Sequence, residues 1–496
     1  MQLYWHRYKY YPYEKDLALR EIKSLLDPAG IHAEGHTIHL DHPLHPELVN
    51  RLVYFANSTV AGGEPVATQQ NLLERVNGNG VNRQSTRYSA HGLHEYKGKF
   101  NPQVAKAMLN IFGAHPGQLV LDPFCGSGTS LVECAHLGIN SVGTDINPLA
   151  VFLATAKLKS LTIPAESLLN NAKFSLIAAK RLRTEPTLEG ERGDYLKLWF
   201  PLEYLSDMER LRLAIDVNGG ENTSVLLAIA SNLLRDYSLQ EPHDLRIRRR
   251  KSPFPDKSFF DAYEEAVRAF CTRLYDAQQT LGIIEAHSKA VNVDCKKAEN
   301  HPDLRQGTFD LALTSPPYAM ALPYIDTQRL SLVWLDLLCP SDILSLESEL
   351  VGSREIRGKG KKALLEALEA NDAMLPEQES ALCIRLQNTL GENDGFRRQA
   401  VPRLLYRYFA NMADAFFSVS QLVKPNAPFG LIVGGNHTVL NGKRFDINTP
   451  EHLARIATTR GWQHVETVSL QAYQRYGLHM NNATSTESLV ILRAAT

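Results

Sequence analysis

Paired cysteines are missing from this sequence of 496 residues. Its six cysteines (Cys125, Cys134, Cys271, Cys295, Cys339 and Cys383) include no Cys-x-x-Cys. That scatter argues against a zinc site and a disulfide framework, so no metal is expected and a reducing compartment fits. Long apolar runs are missing too, and nothing approaches the ~18 residues of a membrane-spanning helix. The start, Met1-Gln2-Leu3-Tyr4-Trp5-His6-Arg7-Tyr8-Lys9-Tyr10, is aromatic and charged and has no apolar secretion signal. A soluble cytoplasmic protein with no membrane partner is expected. Nor is there an excess of charge: 53 Lys and Arg face 54 Asp and Glu, a formal net charge of −1. Coating of a polyanion by bulk electrostatics is therefore excluded, and any such surface must be a local basic patch.

What is present is ordinary for a globular chain, 44% hydrophobic and 22% charged, and its length predicts more than one lobe. Residues 1–80 read as a small α+β unit. It has a helix to Leu26 that stops at Asp27-Pro28, a strand at Gly35–Leu40, and a helix around Pro46–Ala56. The polar stretch from Val76 to Asn82 reads as a linker. Strand–helix alternation then runs through 85–160, with strands at Leu119–Asp122 and Ser141–Asp145, the pattern of a doubly wound parallel sheet. Residues 161–284 read as a helical insert. Alternation resumes over 285–339, with strands at Ala290–Asp294 and Phe309–Thr314. A polar insert follows at 340–400, and 401–496 completes the sheet with strands at Phe429–Val433, His464–Leu470 and Ser488–Leu492. The expected fold is thus α/β and Rossmann-like, mostly parallel with a C-terminal antiparallel strand.

Between the first of these strands and its helix lies Asp122-Pro123-Phe124-Cys125-Gly126-Ser127-Gly128-Thr129. Glycines at 126 and 128 allow a tight turn and close approach of a ligand. Asp145 ends the next strand, placed to accept hydrogen bonds from ribose hydroxyls. A dinucleotide loop would carry a third glycine where Leu131 stands. S-adenosyl-L-methionine has no pyrophosphate to seat. It needs glycine clearance for its amino-acid end and an acid for its ribose, and this loop offers both.

Ser315-Pro316-Pro317-Tyr318 follows an apolar strand. An exocyclic base amine is a poor nucleophile because its lone pair is delocalised into the ring. Acceptors that hold its two N–H groups draw the nitrogen toward tetrahedral geometry. The Ser315 hydroxyl and the Pro316 carbonyl can be those acceptors, and Pro316 and Pro317 fix φ so that the carbonyl is pre-aimed. The Tyr318 ring offers a stacking face worth roughly 1–3 kcal/mol.

These segments resemble motifs of the S-adenosylmethionine-dependent amino-methyltransferases that modify DNA bases. The glycine loop is similar to their motif I, and Val142-Gly143-Thr144-Asp145-Ile146-Asn147-Pro148 to motif II. Ser315 to Tyr318 is similar to motif IV. His94-Glu95-Tyr96-Lys97-Gly98-Lys99-Phe100-Asn101-Pro102 resembles motif X, which closes over the methionine end of the cofactor. The resemblance implies cofactor contacts from Lys99, Phe100, Asp122, Phe124, Gly126, Gly128, Thr129, Asp145 and Ile146, with Asp294 at the position that contacts the adenine amine. It implies duplex DNA with a flipped base as substrate, and a cognate restriction nuclease or defence components as partners. Serine at the first catalytic position favours cytosine N4, whereas Asp is the usual residue for adenine N6. Methylation of ring carbon needs a Pro-Cys nucleophile, and here only Cys339-Pro340 occurs, in the opposite order. An RNA methyltransferase of the tRNA guanine-N2 type shares the loop and stays open as an alternative. Tyr324 and Asp326 are candidates for the base pocket. The basic run Arg246, Arg248, Arg249, Arg250 and Lys251 in the helical insert is the expected nucleic-acid contact, with the 340–400 stretch as the other candidate target-recognition region.

Overall fold

Alternating apolar residues build a five-stranded antiparallel sheet from β1 (Gln2–Trp5), β2 (Gly30–Glu34), β3 (Thr37–Asp41), β4 (Phe55–Thr59) and β5 (Val66–Ala67), in the order β2-β3-β1-β4-β5. The computed structural model describes the chain except residues 61–62, 76–83, 100, 183–186, 286, 320–323, 357–359 and 472–485. The expected linker at 76–82 and Phe100 lie outside the described residues. Helix α1 (Pro12–Leu26) starts with a proline in its first turn, and the Glu14 carboxylate accepts from the Tyr11 N–H at 2.7 Å; it ends at Asp27 in the left-handed region. Its buried stripe of Leu17, Ile22, Leu25 and Leu26 shares a core with Val104, Ala105 and Met108 and with Val120, Leu313 and Ile432 of the central sheet. The helix expected over Pro46–Ala56 is instead a 3-10 turn (Pro46–Arg51) followed by β4. Leu52, Val53, Tyr54 and Phe55 are all fully buried, and a continuous apolar run does not reveal its own period. Helix α2 (Gln69–Arg75) closes the unit.

Next in the chain come α3 (Pro102–Ile111), β6 (Leu119–Asp122), α4 (Thr129–His136), β7 (Asn140–Asp145) and α5 (Pro148–Leu161). The insert that follows is helical: α6 (Ala165–Arg181), α7 (Gly190–Trp199), α8 (Leu202–Asn218), α9 (Thr223–Leu233) and α10 (Phe259–Leu281). Strands β8 (Ser288–Asn292) and β9 (Leu311–Thr314) return to the sheet, and α11 (Tyr324–Trp334) and α12 (Ile343–Glu349) follow. The polar stretch holds two helices, α13 (Gly360–Ala370) and α14 (Glu377–Thr389), ahead of the long α15 (Phe396–Leu422). The remainder is β10 (Pro428–Gly434), the hairpin β11 (Asn436–Leu440) and β12 (Lys443–Ile447), α16 (Thr449–Thr458), β13 (Trp462–Gln471) and β14 (Thr486–Ala494).

The central sheet runs β13-β14-β10-β9-β6-β7-β8. Its β8, β7, β6, β9 and β10 are parallel neighbours, and β14 is antiparallel to both β10 and β13. Strand β9, with all four residues buried, lies between β6 and β10, so the chain reverses its direction of winding at β6/β9. In open α/β sheets, ligands bind beyond the carboxyl ends of strands at such a switch point.

Candidate active site

The carboxyl ends of β6, β7 and β9 open into one solvent-connected cleft, the place where ligands of such sheets bind. Its wall brings together Tyr96, Gly98, Lys99, Phe124, Cys125, Gly126, Ser127, Thr129, Asp145 and Asn147 with Ser315 and Pro317. Gly126 and Gly128 have φ of +49° and +81°; a Cβ at 128 would lie 2.9 Å from that of Ala154, so the loop tolerates no side chain there. The half-buried Asp145 accepts from the Gly126 N–H (Oδ2, 3.0 Å) and from the Asn147 N–H (Oδ1, 2.8 Å). Burial raises its carboxyl to about 6, against the lowering effect of those two N–H groups. At the rim, the Lys99 ammonium donates to the Thr86 and His91 carbonyls, and burial lowers it to about 8. Lys157, fully buried behind the loop, donates to both the carbonyl and the hydroxyl of Ser127 at 2.8 Å.

Ser315 is half-buried at the end of β9. Its hydroxyl donates to the Ile432 carbonyl of β10 at 3.1 Å. With that proton engaged, the oxygen's lone pairs remain as acceptors in the cleft. Pro316 is buried. The half-buried Tyr318 packs against the core beside the cleft, and its hydroxyl donates to Glu487 of β14 at 2.8 Å.

The other residues singled out in the sequence sit elsewhere. Asp122 is 1% exposed and lies beneath the cleft. Its two oxygens accept from Thr314 Oγ1 (2.6 Å) and Ser130 Oγ (2.5 Å), which ties β9 to the glycine loop's helix. Ile146 packs against the core. Asp294 caps a 3-10 turn through the Lys296 N–H and pairs with the Lys296 ammonium at 3.3 Å, and it stands outside the cleft wall. Asp326 is on α11, where Gln240 of the insert donates to its carbonyl at 3.0 Å. The side chain of Tyr324 lies outside the described residues.

The basic run divides. Arg246, Arg248, Arg249 and Lys251 are exposed. Arg248 pairs with Asp244 at 3.0 Å, and Arg249 lies over the Trp199 ring at 4.6 Å. The Arg250 guanidinium donates instead to the carbonyls of Asp236, Ser238, Ser252 and Pro253 and lies over Phe254 at 4.4 Å. It therefore clamps the loop. Arg250→Ala should lower stability by about 2–4 kcal/mol, because several carbonyls lose a charged donor, while leaving the salt dependence of ligand binding unchanged. Thermal denaturation and a salt titration check both halves of this expectation.

Two parts of the site went unread in the sequence. Leu350 and Val351 line the cleft, yet they belong to the polar insert and carry no motif. Behind the loop, the fully buried His91, Glu133 and His136 form a cluster. Glu133 accepts from Tyr88 Oη at 2.7 Å and lies 2.6 Å from His91 Nε2, and Ser89 Oγ is 3.0 Å from His136 Nε2. These are hydrogen-bond spacings, and they join the segment before α3 to α4 under the glycine loop. A histidine three residues before the motif X stretch was the available signal.

Comparison with known proteins decides what the cleft belongs to. Residues 93–181 match the family model described as UPF0020: RMKL-like, methyltransferase domain. The chain is similar to methyltransferases over that stretch, which holds the glycine loop and Asp145. It is 47% identical over 73 residues to the Type II methyltransferase M.MjaII of Methanocaldococcus jannaschii, covering 15% of this chain and 14% of that protein. To the Type II methyltransferase M.MvaI of Kocuria varians it is 26% identical over 317 residues, 57% of this chain and 67% of that one. A shorter stretch of 52 residues is 42% identical to tRNA (guanine(10)-N2)-dimethyltransferase of Methanothermobacter thermautotrophicus, 10% of this chain and 16% of that protein. The cleft fits S-adenosylmethionine. A Cβ at Gly126 would stand 3.3 Å from the Tyr96 ring across the cleft wall, and Asp145 presents a carboxylate at that wall. Among the described residues, no helix is long and apolar enough to cross a membrane.

Proposed function

We propose that this methyltransferase modifies an exocyclic amine of a base in DNA, cytosine N4 in first place, with the base flipped into the cleft. The observation that carries this reading is the Ser315 hydroxyl. Its proton is given to Ile432, and its lone pairs share a cleft with the glycine loop. S-adenosylmethionine, when bound, supplies an electrophilic methyl group. Tyr96, Gly98, Lys99, the 126–129 loop, Asp145 and Asn147 would hold it. Ser315 and the Pro316 carbonyl accept the two amine N–H groups, which restores the nitrogen lone pair for attack, and the positive charge that develops there is stabilised by the same two oxygens. Tyr318, held by Glu487, supports the base, which leaves its duplex at a cost of about a few kcal/mol. Similarity to the Type II methyltransferase M.MvaI over 57% of this chain and 67% of that one supports DNA as substrate and a restriction nuclease as the companion activity.

The second reading is RNA guanine-N2 methylation, favoured by the local match to a tRNA dimethyltransferase. Such enzymes usually carry Asp where Ser315 stands. Labelled cofactor offered with duplex DNA and tRNA together separates the two, followed by mass spectrometry of the nucleosides. N4-methylcytosine is expected; label in tRNA with none in DNA would overturn the DNA reading.

A further inference from the structure

Lys157 stands on α5 behind the glycine loop and has no exposed surface. Its ammonium donates to the carbonyl and to the hydroxyl of Ser127, both at 2.8 Å, and among the described residues it pairs with no carboxylate. The acids around it are engaged elsewhere. Asp145 takes the N–H groups of Gly126 and Asn147, and Asp122 takes the hydroxyls of Thr314 and Ser130. Glu133 takes the Tyr88 hydroxyl and sits against His91. A buried cation without a counter-charge is costly. Burial first and Lys99 second hold its proton affinity well below the usual lysine value. Its neighbours on α5, Leu153, Ala154, Ala156 and Leu158, are core residues, so a charge at 157 serves something other than packing.

The hydrogen-bond directions show what it serves. An ammonium only donates, so Ser127 Oγ is the acceptor and its own proton must go elsewhere. Among the described residues no protein acceptor takes that proton. Ser127 is only 3% exposed, yet it lines the cleft beside Gly126 and Thr129. A hydroxyl that accepts from a cation is also the stronger donor. Two further features favour an anion at this wall. Helix α4 starts after Gly128 with no capping side chain and no acid in its first turn, so its positive end stands uncompensated next to Ser127. Lys99 lines the same cleft, and its ammonium meets only the neutral carbonyls of Thr86 and His91.

We infer that Lys157 is a positioning residue for the cofactor: it fixes the Ser127 hydroxyl as a proton donor on the cleft wall, where the carboxylate of the amino-acid end of S-adenosylmethionine is recognised. The inference rests on S-adenosylmethionine as the occupant of the cleft and is independent of which base is methylated. Lys157 does not touch the cofactor; its charge acts through Ser127. The acid at Asp145 and the cation behind Ser127 then sort the two ends of the ligand, hydroxyls to the one and carboxylate to the other.

The test is calorimetric binding to the full chain of S-adenosylmethionine and of 5′-methylthioadenosine, which has the same nucleoside and sulfur but no amino-acid end. Lys157→Met should weaken S-adenosylmethionine by about 10–100-fold, the strength of a hydrogen bond to a charged group, and leave 5′-methylthioadenosine at its wild-type affinity. Ser127→Ala should lose as much as Lys157→Met, and the double variant no more than either single one, because both changes remove the same interaction. Ser127→Ala keeps the bond from Lys157 to the carbonyl of residue 127, so it carries the comparison of the two ligands if Lys157→Met does not fold. Equal losses for the two ligands would make the pair structural only, and additive losses would break the link between Lys157 and Ser127. Either result overturns the inference, as would wild-type affinity in the variants. If the wild type binds neither ligand, the cofactor reading falls with it.

Discussion

Ser315→Ala should bind S-adenosylmethionine as tightly as the wild type and turn over about 10²–10³ times more slowly, the usual loss when one pre-aimed polar partner of a transition state is removed. Two features of the site set this expectation. The hydroxyl donates to Ile432, so alanine removes an acceptor from the cleft and leaves one strand carbonyl without its side-chain donor. The glycine loop and Asp145, at the other wall of the cleft, are not touched by the change. Single-turnover methylation at saturating cofactor, with a cofactor titration beside it, reads both quantities. Wild-type turnover in this variant would remove Ser315 from the chemistry.

The second large effect is expected at Asp122. Its carboxylate holds Thr314, the residue before Ser315, and Ser130, the second residue of α4. Asp122→Ala strands two buried hydroxyls and the Phe124 N–H. Each unsatisfied group costs about 1–3 kcal/mol, so loss of folding at moderate temperature is expected. Asp122→Asn is the more discriminating change. Burial raises the Asp122 carboxyl from 3.8 to about 6, opposed by the hydrogen bonds from Ser130, Thr314 and the Phe124 N–H. A folded-state value above the unfolded one favours folding below pH 3.8, and that contribution is lost as pH rises through about 6. The full difference is about 3 kcal/mol near pH 7. The stability of Asp122→Asn relative to wild type should therefore improve from pH 4 to pH 7, while its turnover falls because one hydroxyl loses its acceptor. Wild-type turnover at saturating cofactor should decline as pH drops through 6, when protonation turns one acceptor oxygen of Asp122 into a donor. A pH-independent stability difference between the two proteins would refute this account.

The two motifs were legible in the sequence because each is a short contiguous stretch whose chemistry depends on local backbone: glycines at positive φ, prolines with fixed φ. The strands beneath them were legible for the same local reason. Asp122 was read as a cofactor ligand, but its partner Thr314 comes from a strand 192 residues away, and no pattern near position 122 announces it. Leu350 and Val351 were invisible because apolar residues in a polar stretch are ordinary; only the approach of Gly352 to Tyr318 places them. The β11–β12 hairpin is a different case. Asn441-Gly442, with φ of +47° and +74°, is a strong turn signal between alternating residues, and it was there to be read. In the 46–56 segment no local signal could separate helix from strand, because burial on both sides erases the period.

The placement of β9 has a consequence for how the protein is made. Its neighbour on one edge, β6, leaves the ribosome well before it, but its neighbour on the other edge, β10, follows more than a hundred residues later, beyond the whole 340–400 insert. Until then the strand that carries Ser315 has an unpaired edge, and its hydroxyl has no Ile432 to meet. A nascent chain can therefore complete its glycine loop while its reactive half stays unassembled. Such non-local pairing is slow and exposes apolar edge to aggregation. The two-insert architecture thus delays competence until β10 has been made, and makes chaperone demand during synthesis a property of the topology.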